Sequence, residues 1–298
     1  MPTPKALIII PTYNHGSLLR YTVESMLRQT YTNFEIHIVG DGATEETVAT
    51  ASELATTDTR IHWHSYPKSK RTGEEYRNEI IRKYATTNDF VCYLADDDLW
   101  LPDHVALCAE ALRDADVVHT LPWCVAPGHQ YRYWWCDWSL PHYRHEVLHG
   151  LNRIPLGMVA HTAVAYLSLP VGWESTPTGT ATDHHMWRKF LQHPGLRYGF
   201  VSVPTVVHMP SSLRRDWLPE VRQVELEYYA KRVKENPQGL RTEVMQSYTK
   251  ESLLCIARLE AYKDQGIFEL LRKYWTRYKS RYFDRSRLAK SLRDADIL

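Results

Sequence analysis

Along the first 120 residues, short apolar runs alternate with stretches whose apolar positions recur every three to four residues. "ALIII" (6–10) is a continuous β-branched run, the pattern of a strand buried on both faces. It ends at Pro11, and Leu18, Leu19, Val23, Met26 and Leu27 then fall on one helical face, with Ser17 placed to cap that helix. "FEIHIVG" (34–40) sets Phe34, Ile36 and Ile38 on one face and stops at an Asp-Gly pair. "ATEETVATASEL" reads as a helix with acids in its first turn, where the helix dipole favours negative charge. "RIHWHSY" is a third strand, "TGEEYRNEIIRKYA" a third helix and "FVCYLA" a fourth strand. Pro102 suits the first turn of "PDHVALCAEALRDA", and "DVVHTL" completes the series as a fifth strand.

Strict alternation of strand and helix predicts an α/β fold, a mostly parallel sheet covered by helices on both faces. Such sheets bind ligands outside the carboxyl ends of their strands. "PTYN", "GDG" and "ADDD" each follow such an end, so three polar clusters converge on one edge. Residues 121–182 are less regular and rich in Trp, Tyr, His and Pro. Beyond about residue 213 the pattern turns helical, and residues 270–293 carry nine Lys or Arg.

The composition narrows the class. A net charge of +1 and 44% hydrophobic residues describe an ordinary globular chain, neither strongly acidic nor strongly basic. The 10 Trp and 19 Tyr supply flat rings of the kind that face sugars and bases, although many cores are equally aromatic. Five cysteines, odd in number and without a CxxC pair, read as reduced, mostly buried thiols. The apolar run near the N-terminus is too short for a signal peptide, and no stretch approaches the roughly 18 apolar residues of a membrane span. The expectation is a cytoplasmic protein, with peripheral attachment to a membrane left open.

Four motifs in fixed order, "IIIPTYNHGSLL", "IVGDG", "EYRNEII" and "FVCYLADDDLWLPDH", resemble the inverting nucleotide-sugar glycosyltransferases of the GT-A fold, and most closely their largest family, which includes capsule, wall and lipopolysaccharide enzymes. The resemblance is specific over residues 5–110, weaker to about 208, and absent from the C-terminal 90 residues. It implies a Rossmann-like GT-A domain over 1–212, with a donor half (1–120) and an acceptor half (121–212). A helical extension with a basic tail would occupy 213–298.

By the same resemblance, Pro11, Thr12 and Tyr13 hold the nucleotide base, Asp41 accepts a hydrogen bond from a uracil or thymine imide, and Arg77 lies near the nucleotide. Plainer readings remain open: Asp41 as a turn residue before Gly42, Arg77 as a solvated helix charge. The family's usual D-x-D-D puts its first acid at Ala95, which cannot ligate. Asp97 is then the expected ligand for Mg²⁺ or Mn²⁺, Asp98 supports it, and Asp96 lies near the ribose or the metal's water shell. The bland alternative is a wet acidic turn.

His208 would return to the metal, and Asp183, preceded by Thr182 where the family usually has Glu, would be the general base; a strand-end histidine and a helix cap are the competing roles. His161, Trp134 and Trp135 would face the acceptor, with core packing as their alternative.

The implied function is an inverting transfer of a sugar from a UDP- or dTDP-sugar to a hydroxyl on a glycan, lipid-linked, protein or other acceptor. A non-catalytic nucleotide-sugar-binding or scaffolding protein is the alternative. Segment 270–293 is expected either as a solvated helix face or as a contact for a membrane surface or acidic partner.

Overall fold

The computed structural model describes residues 3–261. Strand β1 (Ala6–Thr12) leads into α1 (Gly16–Leu27), β2 (Phe34–Asp41) into α2 (Glu45–Thr57), and β3 (Ile61–Tyr66) into α3 (Glu74–Tyr84). Next come β4 (Phe90–Tyr93), a short β5 (Leu99–Trp100), α4 (His104–Ala111) and β6 (Val117–Thr120). The middle of the chain forms a hairpin of β7 (Trp123–Ala126) and β8 (Gln130–Tyr133), then α5 (Pro141–Leu148), β9 (Val159–Thr162) and α6 (Ala163–Leu167). It continues with α7 (Thr182–Gln192), β10 (Tyr198–Val201), β11 (Val206–Val207), α8 (Pro219–Glu235) and α9 (Pro237–Ala261).

The central sheet has seven strands in the order β10-β6-β9-β4-β1-β2-β3. All neighbours run parallel except β9, which lies antiparallel between β4 and β6. The α/β fold with a mostly parallel sheet and flanking helices is therefore as expected. Ala6 to Ile10 are fully buried at its centre, and Leu7 to Ile10 each contribute roughly 1.5–3 kcal/mol by leaving water. Trp100, Trp123, Trp138, Trp173 and Trp187 are buried too and belong to the core. Cys92, Cys108, Cys124 and Cys136 are free and buried, as expected for reduced thiols.

Two caps differ from expectation. Helix α1 begins at Gly16 with His15 as its N-cap, and no side chain caps it. Ser17 lies inside the first turn, and the His15 ring turns away to bond Asp96. Helix α4 begins at His104 after Asp103, which leaves Pro102 just outside. Helix α2 matches its pattern: Thr44 Oγ1 accepts the Thr47 N–H, and Glu45 and Glu46 occupy the first turn.

One compact unit extends through Met245, and within it α8 packs on α1 and β5. The second unit starts at Gln246, and its described part is the remainder of α9. The basic segment 270–293 lies outside the described residues. Among the described residues, no helix is long and apolar enough to cross a membrane.

Candidate active site

Parallel register brings the ends of three strands together. Thr12 pairs with Gly40 at the tips of β1 and β2, and the chain leaves β4 at Leu94, whose N–H donates to Ile9 O. The loop 95–98 therefore opens beside "PTY" and Asp41. A second constraint comes from far along the chain: β11 pairs antiparallel with β5 and sets His208 and Met209 against Asp98.

The three aspartates face three different chain segments. Thr12 Oγ1 donates to Asp96 Oδ2 at 2.6 Å, and His15 Nδ1 donates to Asp96 Oδ1 at 2.8 Å. Ser211 Oγ donates to Asp97 Oδ2 at 2.8 Å, and the Arg222 guanidinium, from α8, bonds the same oxygen. Asp98, 1% exposed, accepts from His208 Nδ1 and from the Met209 N–H, both at 2.8 Å. Its own carbonyl accepts from Thr22 Oγ1, so Asp98 is a bracing residue.

Arg222 Nη1 also donates to His15 Nε2 at 2.9 Å. A guanidinium has only donors, so His15 presents an Nε2 lone pair there and its Nδ1–H to Asp96. Burial, with Asp98 and Asp96 alongside, pushes the Asp97 carboxyl up to about 6. Three crowded acids and an imidazole lone pair make a place that calls for cationic charge.

The ligand atoms that gather within 4.8 Å of one another are those of His15, Asp96 and Asp97. The expected set of Asp97, Asp98 and His208 is not such a group among the described residues, and Asp98 and His208 are bonded to each other at 2.8 Å. His15 and Arg222 are the members that sequence reasoning missed. His15 carried a signal, three residues beyond Thr12 at a strand's carboxyl end. Arg222 carried none.

At the end of β2, Asp41 is buried, with its Oδ1 accepting the Ser69 N–H at 2.6 Å and its Oδ2 bonded by Lys68 Nζ. Lys68 Nζ also lies 5.4 Å from the centre of the Tyr13 ring, which is 47% exposed. An open aromatic face thus adjoins a buried carboxylate. Gly73, at φ +75°, backs this corner, and a Cβ there would come within 2.9 Å of Asp41 Cβ. Pro11 is half-buried.

Arg77 is 2% exposed, far from the solvated charge its helix pattern allows. Its Nη2 donates to Thr72 O at 3.1 Å and Thr72 Oγ1 at 3.2 Å, and its guanidinium stacks 4.3 Å from the Trp173 ring centre. Among the described residues it makes no ion pair. Burial pushes the guanidinium below its ordinary value, with the Glu74 carboxylate pulling the other way from beyond ion-pair distance, and a buried cation in no direct ion pair suits an anionic ligand.

Asp183 lies in the first turn of α7, after the N-cap Ala181, so it is not the cap. Its Oδ1 accepts from the His184 N–H at 2.7 Å and from Asn152 Nδ2 at 3.0 Å. Burial pushes its carboxyl above the ordinary value, with His208 and His184 pulling the other way. Thr182 Oγ1 lies 3.2 Å from Thr72 Oγ1, which links α7 to the loop before α3 that Arg77 also bonds.

Among the acceptor candidates, Trp134 is half-buried with its ring 6.5 Å from that of His208, and Trp135 is exposed. His161 is a correction. It is 0% exposed within β9, held between the Tyr93 hydroxyl at 2.7 Å and the Thr162 carbonyl at 3.0 Å, so it faces no acceptor.

A mostly parallel sheet flanked by helices, with an acidic loop at the carboxyl end of β4, is the architecture of the GT-A glycosyltransferase class. Two of the solved structures that share the fold illustrate it. One is TarS of S. aureus in complex with UDP-GlcNAc, with a TM-score of 0.53 at 16% identity over 69% of this chain and 58% of that one. The other is a mannosyltransferase of Pyrobaculum calidifontis in complex with GDP-Man and Mn²⁺, with a TM-score of 0.51 at 18% identity over 93% and 81%.

Residues 7–169 match glycosyl transferase family 2, and the chain belongs to that family. An uncharacterized glycosyltransferase of Rickettsia prowazekii is 29% identical over 205 residues, 64% of this chain and 59% of the relative. YibD of Escherichia coli, also an uncharacterized glycosyltransferase, is 32% identical over 125 residues, 41% of this chain and 35% of its own length. The chain thus spans well under two thirds of these relatives.

Proposed function

We propose that the chain transfers a sugar from a nucleoside diphosphate sugar to an acceptor hydroxyl, with inversion at the anomeric carbon. The observation that supports this reading is the placement of three carboxylates, Asp41 at the end of β2, Asp97 on the loop after β4 and Asp183 in the first turn of α7, with Asp97 and Asp183 both acting on His208. Asp41 and Tyr13 make a corner that fits a uracil or thymine base, so UDP- or dTDP-sugars are the proposed donors; the UDP-GlcNAc complex of TarS is in keeping with this. Arg77, buried and in no direct ion pair among the described residues, suits a diphosphate oxygen.

His15, Asp96 and Asp97 fit a Mg²⁺ or Mn²⁺ ion, which when bound supplies charge neutralisation on the diphosphate. For that, the Arg222 guanidinium has to leave Asp97 and His15.

Asp183 is the proposed base. It takes the proton of the acceptor hydroxyl, whose oxygen attacks the anomeric carbon. The bond from that carbon to the diphosphate breaks on the opposite face, and its electron pair departs on the nucleoside diphosphate. A carboxyl pushed upward by burial is a stronger proton acceptor than an exposed one. Asn152 fixes its orientation. Trp134 and Trp135 are proposed to line the acceptor side.

The test is calorimetric titration of UDP, dTDP and GDP, with and without Mn²⁺, on the native chain and on Asp97→Ala. Metal-dependent binding of UDP or dTDP that Asp97→Ala removes supports the reading. Failure of all three nucleotides to bind with or without metal sinks it, and binding with no turnover of any donor would favour a non-catalytic module.

A further inference from the structure

Outside the site, the sheet carries a second cluster of metal-binding side chains. Glu35 and His37 are two residues apart on β2, so they share one face of the sheet. His62 on β3 is the register partner of His37. One ligand atom from each of Glu35, His37 and His62 lies within 4.8 Å of the other two.

Two observations point to a ligand rather than to a simple polar contact. His37 is 0% exposed, and its Nε2 has no hydrogen-bond partner, a costly state for a buried polar atom. That Nε2 faces Glu35 Oε1 at 3.5 Å, too long for a hydrogen bond. The separation is close to the roughly 3.4 Å edge of a tetrahedron built with metal–ligand bonds of about 2.0–2.1 Å.

The surroundings have the form of a metal's supporting shell. His37 Nδ1 lies 2.9 Å from His64 Nε2; if it donates there, the ring orientation is fixed and the Nε2 lone pair is left free. Glu35 is steadied by Lys5 Nζ on Oε2 at 2.6 Å and by Asn88 Nδ2 on Oε1 at 2.7 Å. The rings of Tyr84 and His62 close over His37 at 4.2 and 4.7 Å. Glu35 and His62 are partly exposed, which leaves a route from solvent.

We propose that Glu35, His37 and His62 bind a zinc-class divalent ion that clips β3, the edge strand, to β2. Two imidazoles and one carboxylate suit Zn²⁺, while Mg²⁺ asks for oxygen ligands. The clip would hold the register of the strand that ends in Asp41.

The experiment uses the full chain in the Asp97→Ala background, which disables the metal group at the acidic loop. After treatment with a chelator, the protein is exposed to Zn²⁺, gel-filtered and assayed for metal. One Zn²⁺ per chain is expected, with a higher unfolding temperature than the chelated protein. Adding His62→Ala should reduce retained Zn²⁺ to near zero and abolish the thermal shift, and Glu35→Gln should weaken both. His62 is only partly buried, so the variant should unfold at the parent's temperature in chelator, which separates lost metal from lost fold. No retained Zn²⁺ in the Asp97→Ala protein, or undiminished Zn²⁺ after His62→Ala, overturns the proposal.

Discussion

Replacing His161 with Gln tests the core role assigned to that ring. Burial pulls its pKa from 6.5 down to about 4, because the imidazolium would lose water and gain no anion. The folded value lies below the unfolded one, so the unfolded chain takes up the proton first. The ring's contribution is complete above about pH 6.5 and is lost as the pH falls toward 4. By linkage, a move from pH 7 to pH 5 costs about 2 kcal/mol at this one position. Glutamine keeps an acceptor for the Tyr93 hydroxyl but binds no proton in this range. Urea unfolding at pH 7 and pH 5, followed by tryptophan fluorescence, should show the native chain losing about 2 kcal/mol more than the variant. Parallel losses, within about 0.5 kcal/mol, would refute the assignment. The same variant should keep its acceptor KM, since a ring sealed inside β9 touches no acceptor.

Three further outcomes are expected. Asp183→Asn should lower the rate of transfer by roughly 10²–10⁴-fold while UDP affinity by calorimetry stays within a factor of a few; an unchanged rate would remove Asp183 from the chemistry. Arg222→Gln should tighten Mn²⁺ binding without nucleotide by about tenfold, the ~1.4 kcal/mol repulsion of a single and a double positive charge about 6 Å apart in water. A titration followed by Mn²⁺ electron paramagnetic resonance reads this directly, and unchanged or weaker binding counts against the competition between Arg222 and metal. Gly73→Ala should cost about 1–2 kcal/mol for the left-handed backbone and also weaken UDP binding, because the new Cβ presses on Asp41; stability and affinity both unchanged would contradict the packing.

The strands from β1 to β4 and β6 were legible because each is an apolar run bounded by Gly, Pro or acids, and the helices between them show one apolar face. Strand β9 was not. "VAHT" is short, and its place between β4 and β6 follows from pairing with chain more than 40 residues away, which periodicity does not encode. Asp41, Asp97 and Asp183 stood out because they occupy the ends of periodic elements. Lys68, Asn152 and Arg222 did not, since an exposed-looking polar residue in a loop or on a helix reads as solvated until the fold brings it to a partner. Asp98 and His208 were legible as a pair of candidates, but their mutual hydrogen bond, spanning 110 residues, was not.

The bracing of the acidic loop has a consequence for the order in which the site is completed. Asp96 finds its partners 81 and 84 residues earlier, whereas Asp97 and Asp98 wait for residues 110 to 125 positions later. A chain emerging from synthesis can assemble β1 and β2, with Thr12 and Asp41 at their ends, well before Ser211 and Arg222 exist. Until they arrive, two neighbouring carboxylates lack the side-chain donors that steady them. The partners of Asp96 and those of Asp97 and Asp98 therefore arrive at different times, and a chain cut short near residue 205 would keep the first without the second.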